Sequence, residues 1–429
     1  MNRLSALLIL LFVFGCSSDS EVVYETDVER IISTLASDDM QGRSPYTEDG
    51  WNAARFIASE FEEIGLSTFA RDDDFIQDIP LVTRSTSGLR VSVNGEAISD
   101  EHVAGSISAE SGSWTETDDM NVVMVGPQNE LLAAWRAHRR SGNTLIVVHP
   151  EHAEDFDRFG SFTSRPSRSM TTGSGSGANM VMVLSDVSKV TSFSVEGSAV
   201  SEETPIANVV GVIEGKRSDE YVLFSAHYDH LGVRDVEGDA IYNGANDNAS
   251  GTTAVIQLAR HFKSGDQPER TLLFVGFTAE ESGGYGSRFF SEQLDPEQIV
   301  AMFNIEMIGK PAVEGPNTAW ITGFGRSDFG TILQEAVEGT IFEFYPDPYP
   351  DQNLFYRSDN ATLARLGVPA HSISTTPIDV DPDYHQASDE VSTLDLDHLS
   401  NTIDAIAAGA TSIVSGDSTP TRVDPATVN

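Results

Sequence analysis

The chain has 429 residues, 66 acidic against 26 basic side chains, a net charge of −40 and one cysteine. This length suffices for two or three domains with large cores, and a hydrophobic content of 39% favours a globular protein with an acidic surface over a disordered one. The charge repels nucleic acid backbones, so no nucleic acid partner is expected, and one cysteine can build neither a disulfide framework nor a cysteine-rich zinc module.

Residues 1–16 have the pattern of a targeting segment. Arg3 supplies a positive start, residues 7–14 form an apolar stretch too short to span a membrane as a mature helix, and Gly15 precedes Cys16. The pattern resembles a bacterial lipoprotein signal peptide, in which the cysteine becomes the lipidated first residue; ordinary secretion with a chance cysteine is the alternative. We therefore expect an exported lipoprotein on the periplasmic side of the cell envelope or at the outer membrane, attached to the membrane only through the lipid on Cys16.

The segment 17–80 is predicted to contain two packed helices that belong to the larger domain. Apolar residues recur at helical spacing over residues 28–35 and 51–66. Gly42 and Pro45 interrupt this spacing, so we interpret the stretch between the helices as a connecting loop.

The segment 81–203 changes in character to short β-like runs separated by Ser, Gly and Thr, at residues 89–93, 121–125 and 144–149. It carries no concentrated chemistry and is predicted to be a smaller, β-rich inserted domain. Its Gly/Ser-rich stretch 171–177 has no lysine and no strand-to-helix context, so we interpret it as a flexible loop and not as a phosphate-binding loop.

From residue 204 to 415, predicted strands alternate with predicted helices, which is typical of a sheet covered on both faces. The predicted strands are residues 206–213, 221–226, 271–277, 300–305 and 368–373, and the main predicted helices are 252–262 and 396–414. We predict an α/β fold of three layers with a central mixed, mostly parallel sheet, followed by a polar tail at 416–429.

The histidine and acidic clusters of this segment follow predicted strands or precede a predicted helix. They are His227, Asp247, the pair Glu280 and Glu281, Glu306, and His385. Taken singly, each has a structural explanation, such as helix capping by Asp247. Together they indicate one site, because open α/β sheets place ligand sites beyond the carboxyl ends of their strands. Two neighbouring divalent ions need a bridging carboxylate and further nitrogen or oxygen ligands, which this set supplies.

Five short motifs in this order resemble a known enzyme family. They are AHYDH (226–230), NDNASG (246–251), FTAEESG (277–283), NIEMIG (304–309) and YH (384–385). The succession resembles the co-catalytic dizinc aminopeptidases of the MH clan, which include bacterial leucyl aminopeptidases, aminopeptidase Y and, more distantly, glutamate carboxypeptidase. The resemblance covers residues 208–413 and the N-terminal helices, and it implies the zinc-exopeptidase fold.

The resemblance implies a ligand set for two divalent ions, zinc being the first expectation and manganese or cobalt the alternatives. Asp247 becomes the carboxylate that bridges both ions. His227 and Glu306 bind one ion, and Glu281 and His385 bind the other. The family usually has Asp at the position of Glu306, and the extra methylene moves this carboxylate outward, so the end of the strand must retreat or the mode of ligation must change.

The resemblance also implies roles for residues that do not bind an ion directly. Glu280 becomes the general base, although the spacing alone leaves open which of Glu280 and Glu281 is the ligand. Asp229 becomes the partner that orients a ligating histidine. Tyr384 is the candidate for a hydrogen bond to the oxyanion, and a loop tyrosine packed on the wall of the site is the alternative.

The other histidines and one acidic residue have structural interpretations. His371 lies in an apolar run and is predicted to be core, whereas His230, His261 and His398 are predicted loop or surface positions. Asp359 is interpreted first as a helix cap, and its alternative role is to hold a substrate amine.

The function that the resemblance implies is that of a metallo-aminopeptidase, a zinc-dependent exopeptidase that removes N-terminal residues from a peptide substrate through a metal-activated water. A carboxypeptidase or dipeptidase on the same metal core is the first alternative. A glutaminyl cyclase and a non-catalytic, receptor-like homologue are the remaining ones. The inserted segment weakly resembles a protease-associated domain, for which a lid or partner surface and a stabilising appendage are both open.

Overall fold

The computed structural model describes residues 19–70, 74–138, 141–170 and 179–428. The predicted signal segment with Cys16 and the predicted loop 171–177 lie outside these residues. Over the part of the chain that is described, no helix has the length and apolar character needed to cross a membrane.

The helices and strands of the described residues are numbered in chain order. The helices are α1 (Asp19–Leu35), α2 (Glu48–Ile64), α3 (Leu131–His138), α4 (Ala153–Thr163), α5 (Gly251–Ser264), α6 (Tyr285–Ser291), α7 (Phe329–Ala336), α8 (Asn360–Ala364) and α9 (Leu396–Val414). The strands are β1 (Ser67–Thr68), β2 (Ile76–Ile79), β3 (Leu81–Val93), β4 (Glu96–Ala97), β5 (Val103–Ser106), β6 (Gly112–Thr115), β7 (Asn121–Val125), β8 (Thr144–Val148), β9 (Ser167–Met170), β10 (Met180–Leu184), β11 (Phe193–Glu203), β12 (Ile206–Ile213), β13 (Arg217–His227), β14 (Gly232–Val233), β15 (Ile241–Tyr242), β16 (Arg270–Phe277), β17 (Ile299–Ile305), β18 (Thr318–Ile321), β19 (Glu343–Pro346) and β20 (Ala370–Ser374).

The described residues form two compact units, one of residues up to Asp78 together with those from Ile206 onward, and one of Ile79–Pro205. The larger unit is built on a nine-stranded sheet of order β1-β12-β16-β13-β17-β20-β18-β19, with β2 also paired to β12. Strands β16, β13, β17 and β20 are parallel, whereas β12 runs antiparallel to β16 and β18 runs antiparallel to β20. The predicted mixed sheet with a parallel centre is confirmed.

Helices cover both faces of this sheet. Since successive residues of a strand point to opposite sides, neighbouring residues of one strand pack against different helices. In β13, Val222 and Phe224 pack in a core with residues of α1, α2, α5, α7 and α9, whereas Leu223 packs in a second core with residues of α6 and α8. Phe224 also stacks on Phe274 and Phe303, with ring centroids 5.4 and 4.9 Å away. Burial of both faces explains the near-continuous apolar runs of the central strands, and the three-layer prediction is confirmed.

The described residues of the unit Ile79–Pro205 form two sheets, and the helices α3 and α4 belong to the same unit. One sheet has the order β5-β10-β8-β7, with its last three strands parallel, and the other has the order β4-β3-β11-β6, with β9 also paired to β3. Helices α3 and α4 were not predicted. They have 8 and 11 residues, too few for a strong periodic signal, and they are anchored on the sheet by Leu131 and Phe156.

Predicted and observed bounds agree best where the apolar pattern is strong. Strand β12 and helix α9 have the predicted bounds, whereas β13 begins at Arg217 instead of residue 221. The added residues of β13, 217–220, are polar and largely exposed, so they carry no apolar signal. The polar tail packs on its own unit: Arg270 donates hydrogen bonds to the carbonyl oxygen of Ser418 and the hydroxyl of Thr419, and Val423 is buried.

Candidate metal centre

The candidate site lies at the carboxyl edge of the parallel strands of the larger unit. Strand β13 ends at His227, and β17 ends directly before Glu306. Glu280 follows the end of β16, and the loop after β20 brings His385 to the same edge. Because these strands are parallel, their carboxyl ends meet on one side of the sheet, which brings together side chains that are far apart in the sequence.

Asp247 lies between two histidines. Its Oδ1 is 3.4 Å from His227 Nε2, and its Oδ2 is 3.2 Å from His385 Nε2. The residue belongs to the wide helical turn Ala245–Ser250, and its peptide bond to Asn248 is cis. Ser250 occupies the N-cap position of α5, so the capping alternative for Asp247 is wrong. Each carboxylate oxygen faces a different imidazole, as a bridging ligand requires.

The two remaining carboxylates of the predicted ligand set divide between the two histidines. Glu306 Oε1 is 3.8 Å from His227 Nε2, and Glu281 Oε2 is 3.2 Å from His385 Nε2. The longer side chain of Glu306 starts one residue beyond the strand, and the next residue, Met307, turns the backbone with a φ of 54°. The strand end therefore accommodates the extra methylene within reach of His227.

The donor atoms of this cluster fit a divalent cation. His227 Nε2 and Glu281 Oε1 are buried, and neither has a hydrogen-bond partner among the described residues. Leaving such polar atoms buried and unpaired is costly, and ions bound by imidazole nitrogen and carboxylate oxygen remove that cost. The mixed nitrogen and oxygen set favours a borderline ion such as Zn²⁺.

The electrostatics of the site also favour a bound cation. Burial by itself lowers the pKa of His227, but the carboxylates of Asp247 and Glu306 outweigh burial and raise this pKa well above its ordinary value. Burial raises the pKa of Glu280 well above its ordinary range and raises the pKa of Asp229 to about 7. The carboxylates of Glu280 and Asp229 therefore hold protons more strongly than an exposed carboxylate does, and a nearby cation would favour their charged forms.

Asp229 contributes in a way that differs from the prediction. The backbone carbonyl of Asp229 is 3.1 Å from His227 Nδ1, whereas its carboxylate Oδ1 is 3.9 Å from that nitrogen. The carboxylate instead accepts a hydrogen bond from the backbone N–H of Glu280 at 3.1 Å. Asp229 thus orients His227 through its main chain and holds the Glu280 loop through its side chain.

Two polar residues that the sequence analysis did not single out hold the ligand-bearing loops. The Asp389 carboxylate accepts hydrogen bonds from the backbone N–H groups of Asn246 and Asp247, at 2.9 and 3.0 Å. Asn248 Oδ1 accepts hydrogen bonds from the backbone N–H groups of Gly251 and Met307, at 3.0 and 3.1 Å. The sequence offered one signal for each: Asn248 directly follows the predicted ligand Asp247, and Asp389 lies shortly after the predicted ligand His385 in the chain.

Arg43, in the loop interpreted as a connector, is fully buried beneath the site. Its guanidinium donates hydrogen bonds to the carbonyl oxygens of Tyr228, Leu35 and Asn243, each at 2.6 Å, and of Gly244 at 2.9 Å. Burial lowers the pKa of Arg43 to about 10, so the side chain stays charged at neutral pH. The loop therefore joins the end of β13 to the turn that carries Asp247.

A cavity of about 240 Å³ opens onto the carboxylates of the site. Most of the residues that line it are polar, and Met307, Trp320, Leu354 and Ile378 supply its apolar part. Tyr384, the oxyanion candidate, lines the same cavity and stacks on His385, with ring centroids 4.0 Å apart. Burial raises the pKa of the Tyr384 hydroxyl, with nearby carboxylates adding to the effect, so the phenol stays protonated and can donate a hydrogen bond.

The remaining predicted residues have mixed outcomes. His371 is fully buried in β20, as predicted, and His261 is exposed. His230 lies in a loop, one of its two predicted alternatives, but it is only 1% exposed, whereas His398 lies in α9 and is 2% exposed, so its prediction as a loop or surface position is wrong. Asp359 occupies the N-cap position of α8, as predicted, but it makes no side-chain cap hydrogen bond, and both of its buried carboxylate oxygens lack a hydrogen-bond partner.

Comparison with known sequences places residues 208–410 against one family model, described as Peptidase family M28. Leucine aminopeptidase 1 of Trichophyton rubrum is 29% identical over 205 residues, which cover 45% of this chain and 54% of that protein. A probable zinc metalloprotease of Pyricularia oryzae is 39% identical over 148 residues, which cover 32% of this chain and 29% of that protein. The chain spans about half the length of the leucine aminopeptidases that it matches.

Solved structures share the fold. A zinc aminopeptidase from Bacillus subtilis superimposes with a TM-score of 0.57 at 18% identity, covering 92% of this chain and 96% of that one. An aminopeptidase from Aneurinibacillus sp. strain AM-1 gives a TM-score of 0.54 at 16% identity, covering 90% and 93%. At these identities the similarity shows a common α/β architecture.

Proposed function

We propose that this chain, whose residues 208–410 belong to peptidase family M28, is a zinc-dependent aminopeptidase that removes N-terminal residues from peptides. The observation that carries the proposal is the convergence of Asp247, Glu281, Glu306 and His385 with Glu280 on one cavity at the carboxyl edge of the sheet. Two of the donor atoms, His227 Nε2 and Glu281 Oε1, are buried without a hydrogen-bond partner, and a metal centre beside an open cavity gives them a role.

Two ions would be held by the donors on either side of Asp247. His227 and Glu306 lie on one side, and Glu281 and His385 lie on the other. Bound there, the ions would lower the pKa of a water and polarise the substrate carbonyl.

Glu280 is proposed as the general base and acid. Its carboxylate lines the cavity, and its backbone is fixed by Asp229. It takes the proton of the attacking water and delivers that proton to the nitrogen of the leaving amine. The Tyr384 hydroxyl lies in the same cavity and donates a hydrogen bond to the oxygen that gains negative charge.

The charge of the cavity supports N-terminal rather than C-terminal recognition. Its lining includes four carboxylate side chains, those of Asp247, Glu280, Glu281 and Glu306, against one guanidinium, that of Arg357. Two divalent ions would offset the four carboxylates, so the group that remains to accept the ammonium group of a peptide is Asp359. Both of its carboxylate oxygens are buried without a hydrogen-bond partner, in a neighbouring pocket that shares Glu280 and Arg357 with this cavity. The apolar part of the cavity wall suits an aliphatic first side chain.

Arg357 is the observation that favours the alternative, a carboxypeptidase or dipeptidase, because a guanidinium binds a terminal carboxylate well. Leucine anilide and an N-blocked dipeptide with a free carboxylate separate the two functions. Hydrolysis of the anilide alone supports the aminopeptidase, and hydrolysis of the blocked dipeptide alone overturns it.

The mechanism predicts that Glu280→Gln binds two zinc ions per chain but loses activity. The amide cannot accept the water proton, so kcat should fall by at least about 100-fold, the usual contribution of a general base. Glu292→Gln, at an exposed position of the same unit, is the matched control. Full activity in Glu280→Gln with two ions bound would contradict the assignment.

We also propose that the chain is an exported lipoprotein, on the pattern of residues 1–16. Mass spectrometry of the N-terminal peptide should find a lipid on Cys16, and Cys16→Ser should move the protein from the membrane fraction to the soluble fraction. An unmodified cysteine within an uncleaved N-terminus would overturn this assignment.

A further inference from the structure

His230 is the one histidine near the centre that the two-ion ligand set leaves unused. It follows Asp229 in the loop after β13 and is 1% exposed. Neither of its ring nitrogens has a hydrogen-bond partner among the described residues, although both are buried. The ring packs closely on Gly244, where an added Cβ would lie 2.5 Å from ring atoms of His230, so its position is fixed.

The unpaired Nδ1 of His230 points into the side of the centre formed by Glu281 and His385. It lies 2.9 Å from Glu281 Oε1 and 4.0 Å from Asp247 Oδ2. The first distance is short enough for a hydrogen bond, yet the angles are not those of one, and Glu281 Oε1 is itself without a hydrogen-bond partner. Because these two donor atoms lie close together without a hydrogen bond between them, they are placed to bind the same metal ion.

The distances meet the requirement for a shared ion. Two donors that each lie about 2.1 Å from one zinc ion are at most about 4.2 Å apart. The separations from His230 Nδ1 to Glu281 and Asp247 are within this limit, as are the two distances of 3.2 Å from His385 Nε2 to Asp247 and Glu281. His230, Asp247 and Glu281 form a group of three donors whose ligand atoms all lie within 4.8 Å of one another.

We propose that His230 is an additional protein ligand of the ion held by Asp247, Glu281 and His385. This ion then has four protein donors, whereas the ion of His227, Asp247 and Glu306 has three. A tetrahedral zinc with four protein ligands is typical of a structural site, and one with three keeps a position for water. The two ions therefore differ in affinity, and the one beside Glu306 is the first to leave.

This inference rests on the proposed dizinc centre but not on the reaction that the centre catalyses. The first test is a titration of the metal-free protein with zinc in competition with a chelator of known affinity. The wild type should bind one ion more tightly than the other. In His230→Ala the tighter affinity should fall by at least about 100-fold, since even partners that only orient a ligand contribute about 10- to 100-fold. The weaker affinity should change less than about threefold.

Two further variants test whether His230 binds the ion itself or only orients Glu281, and whether the loss of any histidine has the same effect. His230→Gln keeps a group that can donate a hydrogen bond to Glu281, so it restores tight binding if His230 only orients that carboxylate and fails to do so if His230 is a ligand. His261→Ala, at an exposed position of α5, should bind both ions as the wild type does. Wild-type zinc affinities in His230→Ala would overturn the proposal, as would their restoration in His230→Gln.

A crystal of the zinc-loaded wild type decides the question even where a variant fails to fold. An anomalous zinc peak within about 2.3 Å of His230 Nδ1 supports ligation, and a nearest peak beyond about 3 Å overturns it. This outcome can be told apart from a failure of the proposed function. If zinc is bound to His230 but the protein cleaves no peptide, the ligand proposal stands and the aminopeptidase proposal fails. If the protein is an active peptidase with no zinc on His230, the aminopeptidase proposal stands and the ligand proposal fails.

Discussion

At the scale of single residues, the centre depends on a few buried polar groups whose partners lie far away in the sequence. Arg43 is the clearest case, since its guanidinium binds the carbonyl oxygen of Leu35 and also carbonyl oxygens that lie 185 to 201 residues beyond Arg43 in the sequence. Its neighbour Gly42 has a φ of 67°, and a Cβ at this position would lie 2.5 Å from the carbonyl oxygen of Tyr242. This loop therefore packs closely on its neighbours and stabilises the main chain around the metal centre.

Arg43→Met should destabilise the metal-free protein by more than about 3 kcal/mol, because the buried carbonyl oxygens of Leu35, Tyr228 and Asn243 lose their donor and each costs about 1 to 3 kcal/mol. Arg43→Lys should restore only part of this stability, since one ammonium group cannot reproduce the fork of the guanidinium. Urea unfolding measures the loss. Arg55→Met, on the exposed side of α2, should stay within about 0.5 kcal/mol, and an equal loss in both variants would refute the supporting role of Arg43.

His371 makes the stability of the protein depend on pH. Its Nδ1 is 2.8 Å from the carbonyl oxygen of Thr322, its Nε2 is 2.7 Å from the hydroxyl of Ser327, and burial lowers its pKa from 6.5 to about 4. On unfolding this pKa returns to its ordinary value, so the unfolded chain binds a proton first as the pH falls. The contribution of His371 is complete above pH 6.5 and is lost as the pH falls towards 4.

We expect this loss to be about 3 kcal/mol, at 1.36 kcal/mol per unit of pKa shift. The free energy of unfolding of His371→Asn, measured by urea at several pH values, should lack this part of the wild-type decline between pH 6.5 and 4. His261→Ala should keep it, because that histidine is exposed. Parallel profiles for the wild type and His371→Asn would show that the buried imidazole does not cause the decline.

At the scale of elements, strands place the ligands and ion pairs fix the loops that carry them. The loop between β20 and α9 contains Tyr384 and His385, and its regular structure is limited to the short 3-10 turn Val391–Thr393. Lys310, just beyond the Glu306 turn, holds this loop with its ammonium group 2.7 Å from Asp381 and 2.8 Å from Asp383. One side chain thereby couples the loops that supply a ligand to each ion.

Lys310→Met should weaken binding of the ion at His385 by about 10-fold or more, because the loop loses its anchor and the buried carboxylate of Asp381 loses its partner. Zinc titration of the metal-free protein measures the change. Lys216→Met breaks an ion pair with Glu269 whose side chains are 55% and 35% exposed, so it should leave both zinc affinities unchanged. A similar change in both variants would indicate an effect of net charge alone.

At the scale of the whole molecule, the dominant property is the net charge of −40. Mutual repulsion of surface carboxylates disfavours the compact state, and salt screens it over a Debye length of about 10 Å at 0.1 M. We expect the free energy of unfolding to rise between 0.05 and 1 M NaCl. Sucrose at equal osmolality is the control for excluded cosolute, and an equal rise in sucrose, or none in NaCl, would contradict a screening effect.

Local patterns in the sequence were sufficient to predict the three-layer fold and the convergence of His227, Asp247, Glu280, Glu306 and His385. Strand and helix periodicity are set by neighbouring residues, and the carboxyl ends of parallel strands meet at one edge whatever the details of packing. The resemblance then assigned roles that spacing alone left open, such as the difference between Glu280 and Glu281.

Only the tertiary structure decided what surrounds these ligands. His230 and Arg43 lie in short polar stretches that are typical of surface loops, yet both are buried at the centre. Asp359 has the local pattern of a cap but makes no cap hydrogen bond, and α3 and α4 form where a sheet is present to pack against. The physical reason is the same in each case: burial and partners are fixed by contacts between distant segments, and such contacts leave no periodic signal in the chain.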